Sequence, residues 1–312
     1  FRVCIMYRTR IALSRKYFKK VLIANRGEIA CRVIQTCRKL GIPTVAVYSV
    51  ADAQAKHVRM ADEAYCVGPA PSAQSYLRIE KLMEVIKKTG TEAVHPGYAF
   101  LSENAEFSRA LAAEGVVFIG PHEKAIHAMG DKIQSKKLAK SLGVNIIPGF
   151  DGEILNEQHL LQVANEIGYP VMMKASAGGG GKGMRIANND EDALTGFALC
   201  KTEALASFGD DRMLVEKFIT QPRHIEIQII ADKVGNTIYL PERECSIQRR
   251  NQKVIEEAPS TFIDQQTRES MGKQAAMLAR GVEYHTAGTV EMMVDKDRNF
   301  YFLEMNTRLQ VE

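Results

Sequence analysis

Two glutamates, Glu291 and Glu304, are the residues whose types and spacing first suggest chemistry. The stretch EMMVDKDRNFYFLEMNTRLQVE, residues 291–312, reads as an apolar run, a polar turn over 295–299 and an alternating strand. Strand side chains point to opposite faces with period two. Glu304, Asn306, Arg308, Gln310 and Glu312 therefore share one face, and Leu303, Met305, Leu309 and Val311 the other. A turn at 296–299 sets Glu291 directly opposite Glu304. Cross-strand Cβ atoms stand roughly 5 Å apart, where like charges destabilise the pair. Glu291 also lies in the apolar run 290–294, where a lone carboxylate is costly to desolvate. A hard cation such as Mg2+, which takes oxygen ligands, relieves both problems. The expectation is a metal site at Glu291 and Glu304 with Asn306 beside them; the plain alternative is a solvated edge strand.

A second chemical feature precedes it. An apolar strand ending in Lys174 leads into Ala175-Ser176-Ala177-Gly178-Gly179-Gly180-Gly181-Lys182-Gly183, and a strand at 184–187 follows. Glycines between two strands let backbone N–H groups approach and cradle phosphates. The order is strand-loop-strand without GxxxxGK[ST], which excludes a Walker P-loop. The loop reads as a phosphate-covering lid or as a surface hairpin. Glu216-Lys217-Phe218-Ile219 ends a short apolar strand and could present an acid and backbone groups to a purine base. His95-Pro96-Gly97-Tyr98 follows another strand, where open α/β sheets place ligands, and reads equally as a structural turn. The basic run 249–253 is either a solvated face or a site for an anionic substrate.

The elements that must position these groups divide the chain. From residue 20, short apolar strands at 20–24, 44–48, 64–67, 93–95 and 116–119 alternate with helical patterns at 28–40, 77–88 and 105–113. That alternation predicts a parallel doubly wound sheet, and the first turn lacks the GxGxxG dinucleotide fingerprint. Beyond 151 the pattern predicts a helix over 156–167, the glycine hairpin, an antiparallel pair at 223–232 and 237–240, and a helix over 265–282. The expected parts are a basic leader (1–17), an amino-terminal Rossmann-like α/β domain (18–130), a linker helix and lid (131–222) and a catalytic core (223–312).

At 312 residues the chain is long enough for about two domains. Its net charge is +4, but residues 1–20 carry seven Lys or Arg and no acid, which leaves 34 basic against 37 acidic residues elsewhere. A globular part with net charge −3 argues against a nucleic-acid partner, and no apolar run approaches the ~20 residues of a membrane span. The acid-free leader has the composition of a mitochondrial transit-peptide remnant. Six scattered cysteines without CxxC point to a reducing compartment and no structural zinc.

Taken together, KVLIANRGEIACRVI (20–34), HPGYAFLSEN (95–104), GDKIQSK (130–136), KASAGGGGKGMRI (174–186), EKFI (216–219), RHIEIQ (223–228), RECSIQRRNQKVIEEAP (243–259) and FLEMNTRLQVE (302–312) resemble the biotin carboxylase family of the ATP-grasp superfamily. Within it the wording is nearest the propionyl-CoA type, with the methylcrotonyl-CoA, acetyl-CoA and pyruvate types further off. The resemblance implies carboxylation of carrier-bound biotin by bicarbonate, using ATP and Mg2+ or Mn2+. It implies phosphate contacts from Lys132 and Lys174, a lid at Gly178, Gly179, Gly180, Gly181 and Gly183, and an adenine hinge at Glu216, Lys217 and Ile219. His224 and Gln248 would lie around the base and ribose, and Glu291 and Glu304 would hold the metal. Lys253, Arg308, Gln310 and Val311 would form the bicarbonate pocket. Glu312 would act as the base, and Arg308 would also stabilise the biotin enolate. The implied partners are a carboxyltransferase β subunit and a biotin carrier domain, with homo-association open, in the mitochondrial matrix. Ala99 departs from the family's glycine, and Asn251 from its frequent histidine. The sequence stops before the family's HPVTE, so the chain is expected to be inactive alone. Two rivals stay open: another ATP-grasp ligase, such as a carbamoyl-phosphate-forming enzyme, and a non-catalytic fragment.

Overall fold

The computed structural model describes residues 18–177 and 183–311. The expectations for the leader 1–17, for Gly178, Gly179, Gly180 and Gly181, and for Glu312 fall outside them. The chain divides into two compact units, residues 1–97 with 111–117 and residues 98–110 with 118–312.

In the first unit the apolar runs become β1 (Val21–Ile23), β2 (Thr44–Ser49), β3 (Glu63–Gly68), β4 (Ala93–His95) and β5 (Val117–Phe118), in the sheet order β3-β2-β1-β4-β5. The pairs β1–β2, β1–β4 and β2–β3 are parallel, which is the doubly wound arrangement the alternation predicts. Helices α1 (Gly27–Lys39), α2 (Lys56–Met60) and α3 (Ile79–Thr89) supply the crossovers. On α1 the buried residues Ile29, Ala30, Val33, Ile34 and Cys37 follow the helical period. The chain leaves α1 through Gly41 at φ +69°, a conformation glycine adopts without a Cβ clash.

Helix α4 (Ala105–Ala113) is shared between the two units, and the second also contains helices α5 (Glu123–Gly130), α6 (Lys132–Ser141), α7 (Glu157–Ile167), α8 (Asp190–Phe208) and α9 (Gln265–Gly281). A three-stranded antiparallel sheet, order β7-β6-β8, is made of β6 (Val171–Ala175), β7 (Met184–Ala187) and β8 (Met213–Lys217). It shares a core with α7 and α8 through Leu160, Val171, Met173, Phe197, Cys200 and Val215. The sequence reading lacks α8. Its buried face is mostly small (Ala193, Gly196, Cys200, Ala204) while Leu199 and Leu205 are exposed, so the hydrophobic stripe is blurred.

A six-stranded antiparallel sheet completes this unit: β9 (Arg223–Ala231), β10 (Thr237–Tyr239), β11 (Arg243–Arg249), β12 (Gln252–Glu257), β13 (Thr286–Val294) and β14 (Phe300–Asn306). Its order is β12-β11-β9-β13-β14, with β10 also on β9. Ile225, Ile227, Ile229, Val290, Met292 and Phe302 pack with Met271, Ala275 and Leu278 of α9 in one core. Burying a side chain of Leu or Phe size contributes ~1.5–3 kcal/mol. The basic run 249–253 turns out to be the tip of the β11–β12 hairpin. Arg249 pairs with Gln252, and Arg250 and Asn251 turn at φ +51° and +64°, the signs a two-residue type I′ turn requires.

The expected strict alternation along β14 is corrected. Near the turn the register is Val294–Phe300, Met293–Tyr301 and Met292–Phe302; past a shift it becomes Glu291–Glu304, Val290–Met305 and Thr289–Asn306. One extra residue in β14, a β-bulge, switches the parity, so even-numbered Phe300 and Phe302 are buried along with odd-numbered Met305. Leu303 and Glu304 then face the same cavity. The strand ends at Asn306, so Arg308 and Gln310 do not continue the polar face.

Candidate functional site

A cavity of about 310 Å³ lies between the three-stranded and six-stranded sheets of the second unit. Of the residues singled out from sequence, Lys132, Lys174, Glu216, Lys217, Ile219, His224, Gln248, Glu291 and Glu304 line it. Ile147, Met172, Met184, Phe218, Met293 and Leu303 add apolar wall. Lysines, carboxylates and flat apolar surface in one cleft suit a ligand with a planar apolar part and an anionic part. Gly149 lets the strands close here, because a Cβ at that position would come within 2.7 Å of the Val215 carbonyl oxygen.

The polar floor is a row of charged residues crossing four strands. Arg243 pairs with Glu226, Glu226 with Glu291, and Glu291 with Glu304. Glu226 has no exposed surface; one oxygen takes Arg243 and the other the Lys253 ammonium. Lys253 also donates to Glu291 at 2.9 Å. Glu291 further accepts from Asn306 Nδ2 at 2.7 Å and lies 2.9 Å from His224 Nε2. Burial pushes the Glu291 carboxyl up, but His224 and Lys253 outweigh it and hold it well below the usual range. Glu304 goes the other way: burial, then the Glu291 charge opposite, push its carboxyl up. Burial alone would lower Lys253, yet Glu291 and Glu226 raise it. Two facing acids of opposite shift, with hard oxygen donors, fit a divalent cation, which would relieve the strain on Glu304. His224, Glu226 and Glu291 also converge closely enough to share an ion.

Glu216 does not offer its acid to a ligand. Its buried carboxylate is shared by Lys174 and Lys136, and Lys136 was not among the residues singled out from sequence. Burial pulls the Lys174 ammonium down to about 8 and also lowers Lys132. Lys217 reaches the cavity through its backbone, since its ammonium donates to the Gly168 and Tyr169 carbonyls at 2.8 and 3.0 Å. Gly183, at φ +65°, closes the glycine hairpin: Ala175 N–H donates to its carbonyl at 2.9 Å.

Arg308, Gln310 and Val311 lie away from the cavity wall. Arg308 donates Nε to Glu103 at 3.1 Å, Nη1 to Gln310 at 3.0 Å and Nη2 to Asn306 at 3.0 Å. Asn306 in turn touches Glu291. The buried Gln310 Nε2 finds no partner among the described residues, and Val311 is exposed. Ala99, where the resemblance expects glycine, sits at φ +53°, a left-handed conformation that glycine adopts without a Cβ penalty. The missed members, Glu226 and Arg243, alternate correctly in RHIEIQ and RECSIQ, but only the strand pairing brings them to Glu291.

The family described as "Biotin carboxylase, N-terminal domain" matches residues 17–126, and "Carbamoyl-phosphate synthase L chain, ATP binding domain" matches 131–312. The chain is 66% identical over 299 residues to the mitochondrial propionyl-CoA carboxylase alpha chain of Homo sapiens, covering 96% of this chain and 41% of that protein. It thus spans about two fifths of the length of that relative. Its fold superposes with a TM-score of 0.92 on the biotin carboxylase domain dimer of Hydrogenobacter thermophilus 2-oxoglutarate carboxylase, in complex with MgADP, ADP and bicarbonate (49% identity; 96% of this chain, 66% of that one). The Campylobacter jejuni biotin carboxylase in complex with β-γ-ATP gives 0.93 at 45% identity, covering 95% and 66%.

Proposed function

The chain belongs to the biotin carboxylase family, and from that premise we propose that it carries the ATP- and bicarbonate-dependent carboxylation of carrier-bound biotin within a propionyl-CoA carboxylase. The observation that carries this reading is one cleft lined by Lys132, Lys174, Glu291 and Glu304 beneath apolar walls. Lys132 and Lys174 hold the nucleotide phosphates, and the backbone at 217–219 meets the adenine edge, with Met172, Phe218 and Leu303 against the ring. Glu291 and Glu304, with Asn306 adjoining, hold Mg2+, which when bound offsets phosphate charge. In this reading Lys253, held against Glu291, draws bicarbonate towards the γ-phosphoryl group, with Arg308 joined to the site through Asn306, so positioning and charge do most of the catalysis. Glu312 takes the bicarbonate proton as its oxygen bonds to phosphorus and ADP leaves. The resulting carboxyphosphate releases CO2 and leaves phosphate; carrier-bound biotin would supply the ring nitrogen that accepts the CO2, and Arg308 would steady the negative charge it carries.

The acid-free leader and the mitochondrial relative support a place in the mitochondrial matrix. The partners in this reading are a carboxyltransferase β subunit and a biotin carrier domain. The test is phosphate release from ATP by the full-length protein. Release that requires bicarbonate and rises with free biotin is expected; dependence on ammonia or glutamine instead would assign it to another ATP-grasp reaction.

A further inference from the structure

The two lysines of the cleft come from different elements. Lys132 opens helix α6, whereas Lys174 lies near the end of strand β6. Ser176, buried and two residues beyond Lys174, joins these elements three ways. Its carbonyl accepts from Lys132 N–H at 3.1 Å, and its N–H donates to the Arg212 carbonyl at 2.8 Å. Its hydroxyl donates to Asp131 Oδ1 at 3.1 Å. Asp131 precedes Lys132, and the same Oδ1 caps α6 by accepting from Ile133 and Gln134 N–H at 2.9 Å each. The other oxygen, Oδ2, takes Arg212 Nη2 at 2.9 Å. Asp210 steadies that guanidinium, accepting from Arg212 Nε at 3.1 Å and from Nη2 at 2.6 Å. Asp131, Ser176 and Arg212 thus form a closed ring of contacts at the root of both lysine-bearing elements.

We propose that Arg212, acting through Asp131 and Ser176, is a positioning residue that fixes the spacing of Lys132 and Lys174, so that both ammonium groups meet one phosphate chain. None of the three lines the cavity. The proposal rests on the nucleotide reading above. A capping carboxylate alone would hold α6, since Asn serves as well as Asp at that position. The pairing of Asp131 Oδ2 with an arginine therefore has a purpose beyond the cap, and it ties α6 to the start of β8. Cations must be held to within about 0.5 Å to act together on one anion.

The experiment uses full-length protein and MgADP as the probe, with titration calorimetry, steady-state kinetics and a melting midpoint without nucleotide. In Arg212→Met and in Asp131→Asn, which keeps the cap and loses the charge, MgADP affinity is expected to fall about ten-fold, short of the ~10²-fold cost of a 1 Å misplacement. KM for ATP should rise in step while kcat stays within about three-fold, the signature of lost ground-state binding. Arg212→Lys should restore most of the affinity, with the nucleotide-free midpoint unmoved. Unchanged affinity in Arg212→Met overturns the proposal. So does a loss matched by a lower midpoint and not rescued by Lys, which would make the ring merely structural. If the wild-type protein itself fails to bind MgADP, the nucleotide reading falls and this proposal falls with it; binding by wild type with no effect in the variants sinks the proposal alone.

Discussion

Replacing Glu226 by Gln removes the charge at the centre of the row Arg243–Glu226–Glu291–Glu304 while keeping its shape. Glu226 is fully buried and paired to both Arg243 and Lys253. Removing one partner of a buried ion pair typically costs 3–5 kcal/mol, because the other charge is left uncompensated. Lys253 keeps Glu291 at 2.9 Å, whereas Arg243 keeps only the neutral oxygens of Gln228 and Thr289 at 3.1 and 3.3 Å. That partial compensation sets the expectation at the low end, about 3 kcal/mol. The loss should be local to the sheet. Native-state hydrogen exchange of the β9 amides Ile225 and Ile227 reads it directly. At 1.4 kcal/mol per factor of ten, exchange should accelerate roughly 10²-fold. The double variant Glu226→Gln/Arg243→Gln should recover part of this, since neighbours sharing a network couple by ~0.5–3 kcal/mol. Acceleration of less than about five-fold (~1 kcal/mol), or a double variant as impaired as the two singles added together, would refute the charge-row argument.

Three further outcomes are expected. Lys174 titrates near 8 because burial disfavours its charge, so it is charged below that pH and neutral above it. Nucleotide affinity should therefore fall as pH rises through about 8, and Lys174→Met should abolish that step; an unchanged pH profile in the variant would contradict it. Ala99→Gly relieves a left-handed residue at φ +53°; the ~1–2 kcal/mol relief less the ~0.4–1 kcal/mol of added chain entropy gives about 0.5–1 kcal/mol of stabilisation, to be read as a higher melting midpoint. Gly149→Ala places a methyl 2.7 Å from the Val215 carbonyl oxygen; overpacking of this kind costs ~1–3 kcal/mol, and MgADP binding by calorimetry should weaken as the three-stranded sheet shifts.

Much of the fold is legible from periodicity, and particular residues show where that stops. The strand-helix alternation of the first unit yields its parallel sheet, since its central strands are built on short apolar runs such as Val21–Ile23. The pairing of Glu291 with Glu304 is legible because a hairpin is local and its turn is polar. The bulge beside Leu303 is not, because an extra residue leaves no mark on composition. The neighbour of Glu291 on its other side, Glu226, is hidden for a different reason. It is 65 positions away in the chain, and no local pattern says which strand lies next to β13. The β11–β12 hairpin escapes because its turn, Arg250-Asn251, adopts positive φ without a glycine. Lys217 looks like a ligand by type, yet nearby carbonyls take its ammonium.

The single surplus residue in β14 carries more than its size suggests. It lets one short strand hand Phe302 to the interior and Glu304 to the cleft in the same two-residue span. Deleting Leu303 would remove the surplus and let Glu304 follow Phe302 directly, so that, counted from the turn, Glu304 would still stand opposite Glu291 while the cleft lost the apolar wall that Leu303 supplies. The bulge therefore adds an apolar side chain to the cleft beside the acid pair, at no cost to their pairing.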